Sequence, residues 1–336
     1  MSKVGYRRGQ AADLSRENWA GTGPRPLSWT AWYPTEAEQP EEEVSLGREG
    51  AAWMTMGKVV TQGELRRQTE PFPVVLMSHG TGGSAADLGW LGIRLAAKGF
   101  VVLGVDHHGN TAVEPFRPEG FLCWWERARD LSVVLDLLAE LEPFQGRLDF
   151  GKVFAAGFSL GGYTVLSLGG AITHMRLFSD WMTARGITRG PREFPDIASH
   201  VAPLLERSRV FRASWERPSQ SYRDARVKAI LSCAPAPTVR AFSNESLRDL
   251  TLPVSLIVGG ADTEAPAEDC AYWLDERLPN RRLVLLGPDV GHAIFLCEAT
   301  ALGRTADPIA CLDAVGVDRR AIHDDVAARA IALFRI

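Results

Sequence analysis

Gly157-Phe158-Ser159-Leu160-Gly161 sets one serine between two glycines, after the apolar run "KVFAA" and before the small-residue segment "GGYTVLSLGG". The pattern is G-x-S-x-G, and its chemistry is nucleophilic. The serine sits on a sharp strand-to-helix turn, and glycine is needed two residues to either side because a side chain there would collide with neighbouring backbone. A helix opening at this point aims its first N–H groups and its positive dipole end at the reacting centre. A tight packed turn is the bland reading of the same residues. The strand expected before it and the helix expected after it favour the nucleophile.

A nucleophilic serine needs a general base, and the base needs an orienting carboxylate. Four histidines follow Ser159. His292, in "LLGPDVGHAIF" just after the last apolar strand run, is the candidate base. His174 and His200 fall in an inserted segment. His323 falls in a C-terminal helix, where a packed or solvated role is expected. Asp262 closes "PVSLIVGGAD" and leaves room for one helix and one strand before His292, so it is the candidate acid, with Glu264 as competitor. The order serine, acid, histidine is the one such an elbow requires. Two backbone donors must hold a developing oxyanion. The Leu160 N–H is one candidate, and Thr81, in the glycine-rich loop "SHGTGGS" (78–84), is the other. His79 in that loop reads as a structural hydrogen-bonder. In "VDHHGN" (105–110), Asp106, His107 and His108 are metal-ligand types, but adjacent histidines diverge. The stretch reads better as a pocket rim, with His108 a candidate lining residue. Trp124 and Trp125 either line an acyl pocket or pack at a helix start. Neither G-x-G-x-x-G nor a P-loop is present, so no nucleotide site is indicated.

The elements that must carry these residues follow from the apolar patterning. "FPVVLMSHG", "FVVLGVDHHGN", "KVFAAGF", "VKAILSCAP", "PVSLIVGGAD" and "RRLVLLGP" are short, continuously apolar runs. Between them lie helical patterns, among them "SAADLGWLGIRLAAKG", "WERARDLSVVLDLLAELEP" and residues 159–169. Fully apolar strands alternating with helices predict a mostly parallel sheet covered on both faces, an α/β fold. "LSWTAWYP" (27–34) predicts an antiparallel strand, and the acidic stretch 34–48 a solvated loop. Residues 171–226 break the rhythm with arginines and with Phe178, Trp181, Phe211 and Trp215. They are expected to form a helical cap over the C-terminal edge of the sheet, with 1–170 and 227–336 as the core. A peripheral subdomain is the alternative.

The 336 residues are 46% hydrophobic with a formal net charge of −4, which suits a globular chain and argues against a nucleic-acid partner. No apolar run reaches the roughly 18 residues of a membrane span. The opening "MSKVGYRRGQAADLSREN" lacks an apolar h-region, which predicts a cytoplasmic location. Five scattered cysteines without a CxxC pair predict neither a zinc site nor a disulfide framework, although Cys297 and Cys311 share one irregular stretch and could form a bridge.

With "RPLSWTAWYPT", "VVLMSHGTGGSAADLGWLGIRLAAKGFVVLGVDHHGNT", "GFSLGGYT", "LIVGGADTEAP" and "GHAIFLC", the sequence resembles the α/β-hydrolases known as predicted dienelactone hydrolases, relatives of platelet-activating factor acetylhydrolase. The resemblance spans most of the chain and is weakest over 171–226. It implies Ser159, Asp262 and His292 as a catalytic triad and the Thr81 and Leu160 amides as an oxyanion hole. It also implies hydrolysis of a small-molecule carboxylic ester without metal or organic cofactor. Dienelactone hydrolase proper uses a cysteine nucleophile, so lactone specificity does not carry over. The acetylhydrolase places its acid after an earlier strand, and the matching "ILSCAPAP" here holds no carboxylate. Amide, lactone, polyester or phospholipid acyl substrates remain open on the same triad. So do an interfacial lipase and a non-catalytic ligand-binding module.

Overall fold

The computed structural model describes residues 3–48 and 50–335. Among these, eleven strands form one sheet: β1 Val4–Glu17, β2 Pro24–Pro34, β3 Glu42–Arg48, β4 Ala51–Thr61, β5 Phe72–Ser78, β6 Val101–Asp106, β7 Leu148–Phe158, β8 Val227–Cys233, β9 Val254–Gly259, β10 Arg281–Leu286 and β11 Glu298–Ala299. The helices are α1 Gly89–Ala96, α2 Pro118–Leu122, α3 Glu126–Ala139, α4 Leu160–Gly169, α5 Met175–Ala184, α6 Val201–Arg207, α7 Arg209–Trp215, α8 Asn244–Asp249, α9 Ala271–Asp275, α10 Ala301–Ala306, α11 Pro308–Cys311 and α12 Arg319–Leu333.

The order β10-β9-β8-β7-β5-β6 is parallel throughout, and β2, β1 and β4 extend the sheet beyond β6. Alternate residues of one strand feed opposite cores. Val74 and Leu76 of β5 pack with α3 and α4, while Val75 and Met77 pack with α1 and α12. All four are fully buried. Each such side chain contributes about 1.5–3 kcal/mol of transfer free energy, so a one-residue register slip would be very costly here. This two-sided burial is why the strands read as unbroken apolar runs rather than alternating ones.

Two stretches differ from expectation. Residues 42–48 are not loop but β3, antiparallel to β4. Val44 and Leu46 turn toward the core while the glutamates before them stay in solvent, so the acidic composition masked a period-two face. β1 gave no apolar signal because its order comes from the long antiparallel register with β2, Val4↔Pro34 through Asp13↔Arg25. Residues 171–226 hold α5, α6 and α7. Their aromatics do not build a separate core: Phe211 is fully buried and stacks on Trp215, which lies 5.7 Å from Trp125 at the start of α3. Among the described residues no helix is long and apolar enough to cross a membrane.

At the carboxyl edge β5, β7 and α4 meet with no room to spare. A Cβ on Gly161 would lie 1.9 Å from the Ser78 carbonyl oxygen, and one on Gly157 would lie 2.1 Å from the Gly161 oxygen. The obstacle is backbone in both cases, so it cannot rotate away. Gly161→Ala is therefore expected to destabilise by about 3 kcal/mol, the upper end of overpacking costs. Urea unfolding checks this, and wild-type stability would show that α4 can move off β5.

Candidate active site

Ser159 lies between β7 and α4 with φ 54° and ψ −119°, a left-handed backbone that a non-glycine residue adopts at a cost of about 1–3 kcal/mol. The turn is held from both sides: the Ser159 N–H donates to Cys233 O (2.9 Å), and its carbonyl accepts from Ala236 N (3.0 Å) and Gly162 N (2.8 Å). The side chain is thereby pushed out of the sheet edge yet remains only 8% exposed.

His292 opens a short 3-10 turn, His292–Phe295. Its Nε2 lies 3.0 Å from Ser159 Oγ, and its Nδ1–H donates to Asp262 Oδ2 at 2.7 Å. An ionised carboxylate only accepts, so Nδ1 carries the proton and Nε2 is free to take one from the serine. Asp262 Oδ1 accepts from the amides of Glu264 (3.0 Å) and Ala265 (2.7 Å), which fixes the carboxylate plane. Glu264, the competing acid, is itself exposed and contributes its backbone to Asp262. The two loops are zipped together, with Gly260 N donating to Gly287 O (3.1 Å) and Ala261 N to Val290 O (2.9 Å). The histidine turn is clamped from behind. Trp90 Nε1 donates to Phe295 O (2.7 Å), His323 Nε2–H donates to Ile294 O (2.8 Å), and the two rings stack at 3.8 Å.

The 78–84 loop lies against Ser159: a Cβ on Gly80 would sit 3.3 Å from Ser159 Cβ. Among the described residues no acceptor takes the Thr81 or Leu160 backbone N–H. The loop's root is anchored by a buried network that the sequence did not reveal. Arg127 Nη2 donates to His79 O and to Ser78 Oγ (3.3 Å), and the Ser78 hydroxyl donates to His107 Nε2 (2.9 Å). His107 Nδ1–H donates to Asp130 Oδ2 (3.0 Å), and Asp130 also accepts from Arg25 (2.8 and 3.0 Å) and Arg16 (2.6 Å). Burial alone would raise the Asp130 carboxyl, but Arg25 and Arg16 hold it well below the usual range. Burial and the nearby Arg127 push His107 down to about 3, so it stays neutral. Burial likewise lowers Arg127 to about 9. His79 is the structural hydrogen-bonder expected of it, with Nδ1–H donating to Gly80 O (2.6 Å) and Nε2 accepting from His107 N (3.2 Å).

The remaining candidates are placed as follows. Among the described residues His108 makes no hydrogen bond to Ser159 or His292. Its Nδ1–H donates to Glu114 (2.7 Å), and its ring lies parallel to that of Trp19. Asp106 accepts from Ala85 N (2.8 Å), so the three neighbours of "DHH" diverge, as their adjacency implies. Trp125 is fully buried and bonded to Ser214 Oγ (3.2 Å), a packing role rather than a pocket wall. Trp124 lies edge-on to Tyr163 of α4 and Phe178 of α5, on the seam between core and insertion. All five cysteines are free and buried, so Cys297 and Cys311 are not bridged. Cys297 instead donates to backbone carbonyls at Ala86 and Asp87.

The sheet order, the elbow and the loops at its edge define an α/β-hydrolase fold. A ferulic acid esterase from Streptomyces cinnamoneus superposes with a TM-score of 0.66 over 99% of this chain and 89% of that one, at 19% identity. The family model for platelet-activating factor acetylhydrolase, isoform II, matches residues 51–117. The chain is similar to a bis(hydroxyethyl) terephthalate hydrolase of Streptomyces coelicolor (34% identity, 27% of this chain and 26% of that protein). It is also similar to cutinase 2 of Thermobifida cellulosilytica (28%, 43% and 55%) and to platelet-activating factor acetylhydrolase of Cavia porcellus (27%, 40% and 39%). The matches thus span from about a quarter to just over half of these relatives' lengths. They show a likeness to platelet-activating factor acetylhydrolase and to cutinases over part of the chain.

His323, packed beneath the histidine turn, is held by burial at about 3, against an ordinary 6.5. Its folded value is depressed, so the unfolded chain binds the extra proton. The stability it contributes is complete above about pH 6.5 and is lost as pH falls toward 3. Unfolding free energy is therefore expected to drop on acidification from neutral pH. His323→Gln removes this titration while keeping a donor for Ile294 O, and is expected to make the drop shallower. Urea unfolding at several pH values checks it, and an unchanged slope would mean that His323 titrates alike in both states.

Proposed function

We propose that the protein is a serine hydrolase of carboxylic esters. The observation that carries this is the unbroken relay Ser159 Oγ to His292 Nε2 (3.0 Å) and His292 Nδ1 to Asp262 Oδ2 (2.7 Å). In this reading His292 takes the Ser159 proton as the oxygen attacks the ester carbonyl, and Asp262 holds the tautomer and stabilises the imidazolium. The Leu160 and Thr81 amides receive the oxyanion. Such a donor contributes roughly 2.7–4 kcal/mol in the transition state. The alcohol leaves with the proton from His292, and water activated by the same imidazole frees the acid from the acyl-enzyme. The relatives named as cutinases, a terephthalate ester hydrolase and an acetylhydrolase support ester substrates.

Residues 171–226 act in this proposal as the cap that sets access. Glu193 lies over the oxyanion loop, 3.1 Å from where a Gly82 Cβ would be, and Phe194 packs edge-on against Phe121 at 4.8 Å.

Ser159→Ala is expected to abolish both 4-nitrophenyl butyrate turnover and labelling by a fluorophosphonate probe, with the fold retained by circular dichroism. Wild-type turnover in that variant would refute the assignment, and an unlabelled wild-type protein would point to a binding module. Asp262→Asn is expected to lower kcat by about three to four orders of magnitude, as in the serine-protease case. Glu264→Gln should change it by less than about threefold, since the exposed carboxylate touches neither partner. The reverse ranking in steady-state kinetics would make Glu264 the acid.

A further inference from the structure

Ala236, whose amide donates to Ser159 O, leads directly into a 3-10 turn, Pro237–Ala241. Helix α5 docks on this turn, with His174 N donating to Ala241 O (2.7 Å) and Thr173 bridging Phe242. Arg240 projects from the turn into the seam between core and cap. Its guanidinium is flanked by two indoles, 4.6 Å from the Trp273 ring and 5.8 Å from the Trp181 ring. These contacts fix its orientation. Among the described residues it makes no hydrogen bond and no ion pair, and its Nε is buried without a partner.

No surrounding acid pairs with it. Asp269, the nearby acid, is taken by Arg185. Arg277 shares the Trp273 ring at 4.5 Å but is itself engaged by Asn244 Oδ1 (2.9 Å), Trp273 O (2.8 Å) and Glu276 (2.9 Å). Loss of hydration and the Arg277 charge both disfavour the Arg240 cation. A half-buried cation left in this state is costly unless something completes it. Two further polar groups are buried and unpartnered: Trp181 Nε1, on an indole that flanks the guanidinium, and Thr238 Oγ1, two residues before Arg240 in the same turn. The cluster is therefore an unpaired guanidinium with two neutral donors, a second cation in Arg277, and an acid, Asp269, already paired to Arg185. Its complement is a planar monoanion with two acceptor oxygens, which the arginine fork matches in bidentate fashion.

We infer that Arg240, with Trp181 and Thr238, forms a subsite for a carboxylate carried by the ester substrate. This deepens, and rests on, the esterase reading. The substrate class is then half-esters: acids in which one carboxyl, or a carboxyl on the leaving alcohol, stays free. Arg240 determines specificity and takes no part in bond making.

Two matched ester pairs test it. 4-Nitrophenyl hydrogen adipate against its methyl ester carries the charge on the acyl side. 4-Acetoxybenzoate against methyl 4-acetoxybenzoate carries it on the leaving group. Arg240→Met is expected to lower kcat/KM for the charged member of one pair by about tenfold or more, mainly through KM, while both neutral members stay within about twofold. The pair that responds shows which side of the scissile bond faces Arg240. An equal loss on charged and neutral members, or no loss in either pair, overturns the subsite while leaving the esterase reading intact. If wild type cleaves none of the four, the esterase reading fails, and binding then decides the subsite. Calorimetric titration of monomethyl adipate into Ser159→Ala should give saturable binding that Ser159→Ala/Arg240→Met loses. Absent or equal binding overturns it.

Discussion

The left-handed backbone of Ser159 is the constraint on which the rest of the site depends. Held at φ 54°, it turns the chain from β7 into α4 within one residue and lifts the hydroxyl above the sheet edge. That conformation survives because its surroundings leave no alternative. Gly157 and Gly161 meet backbone where any side chain would be, and the Ser159 amide and carbonyl are bonded to the end of β8 and to the loop after it. The strain is thus carried by the two-sided cores beneath, where Val74–Met77 of β5 and Val153–Phe158 of β7 are buried against α1, α3, α4 and α12.

The other two members of the relay are positioned by different means. Asp262 is fixed by local amides, an arrangement built within four residues of chain. His292 is fixed by distant partners. Trp90 from α1 and His323 from α12 hold the carbonyls of its turn, so an imidazole on an irregular loop acquires the rigidity of two helices. The 78–84 loop follows the second pattern. Arg127 and Asp130 of α3, through Ser78 and His107, bind its root to the N-terminal strands that supply Arg16 and Arg25. A network this deeply buried is useful only when nearly complete, since any lost partner leaves a charge stranded in low dielectric. It also explains why a Ser–His–Asp arrangement at 78, 107 and 130 is structural rather than reactive: all three side chains are sealed from solvent.

Much of the core was legible. The strand runs 72–78, 101–106, 152–158, 227–233 and 254–259 and the helices around Leu91, Leu131 and Val326 stand where apolar periodicity indicates. Periodicity works there because two-sided burial leaves an unmistakable composition. It failed for β1 and β3, whose faces are largely solvated and whose order comes from antiparallel pairing with the next strand of the chain. In the insertion it indicated helices but not that Phe211 and Trp215 would join the main core.

The elbow and the order of Ser159, Asp262 and His292 are properties of the sequence, because a five-residue steric pattern and strand-end positions are local or topological facts. Which acid meets His292, that Trp125 packs inward, that His108 turns to Trp19, and that Arg240 stands between two indoles without an acid were decided by tertiary structure. Each depends on side chains from separate elements arriving within hydrogen-bond or ring-contact distance, and no spacing along one chain encodes that.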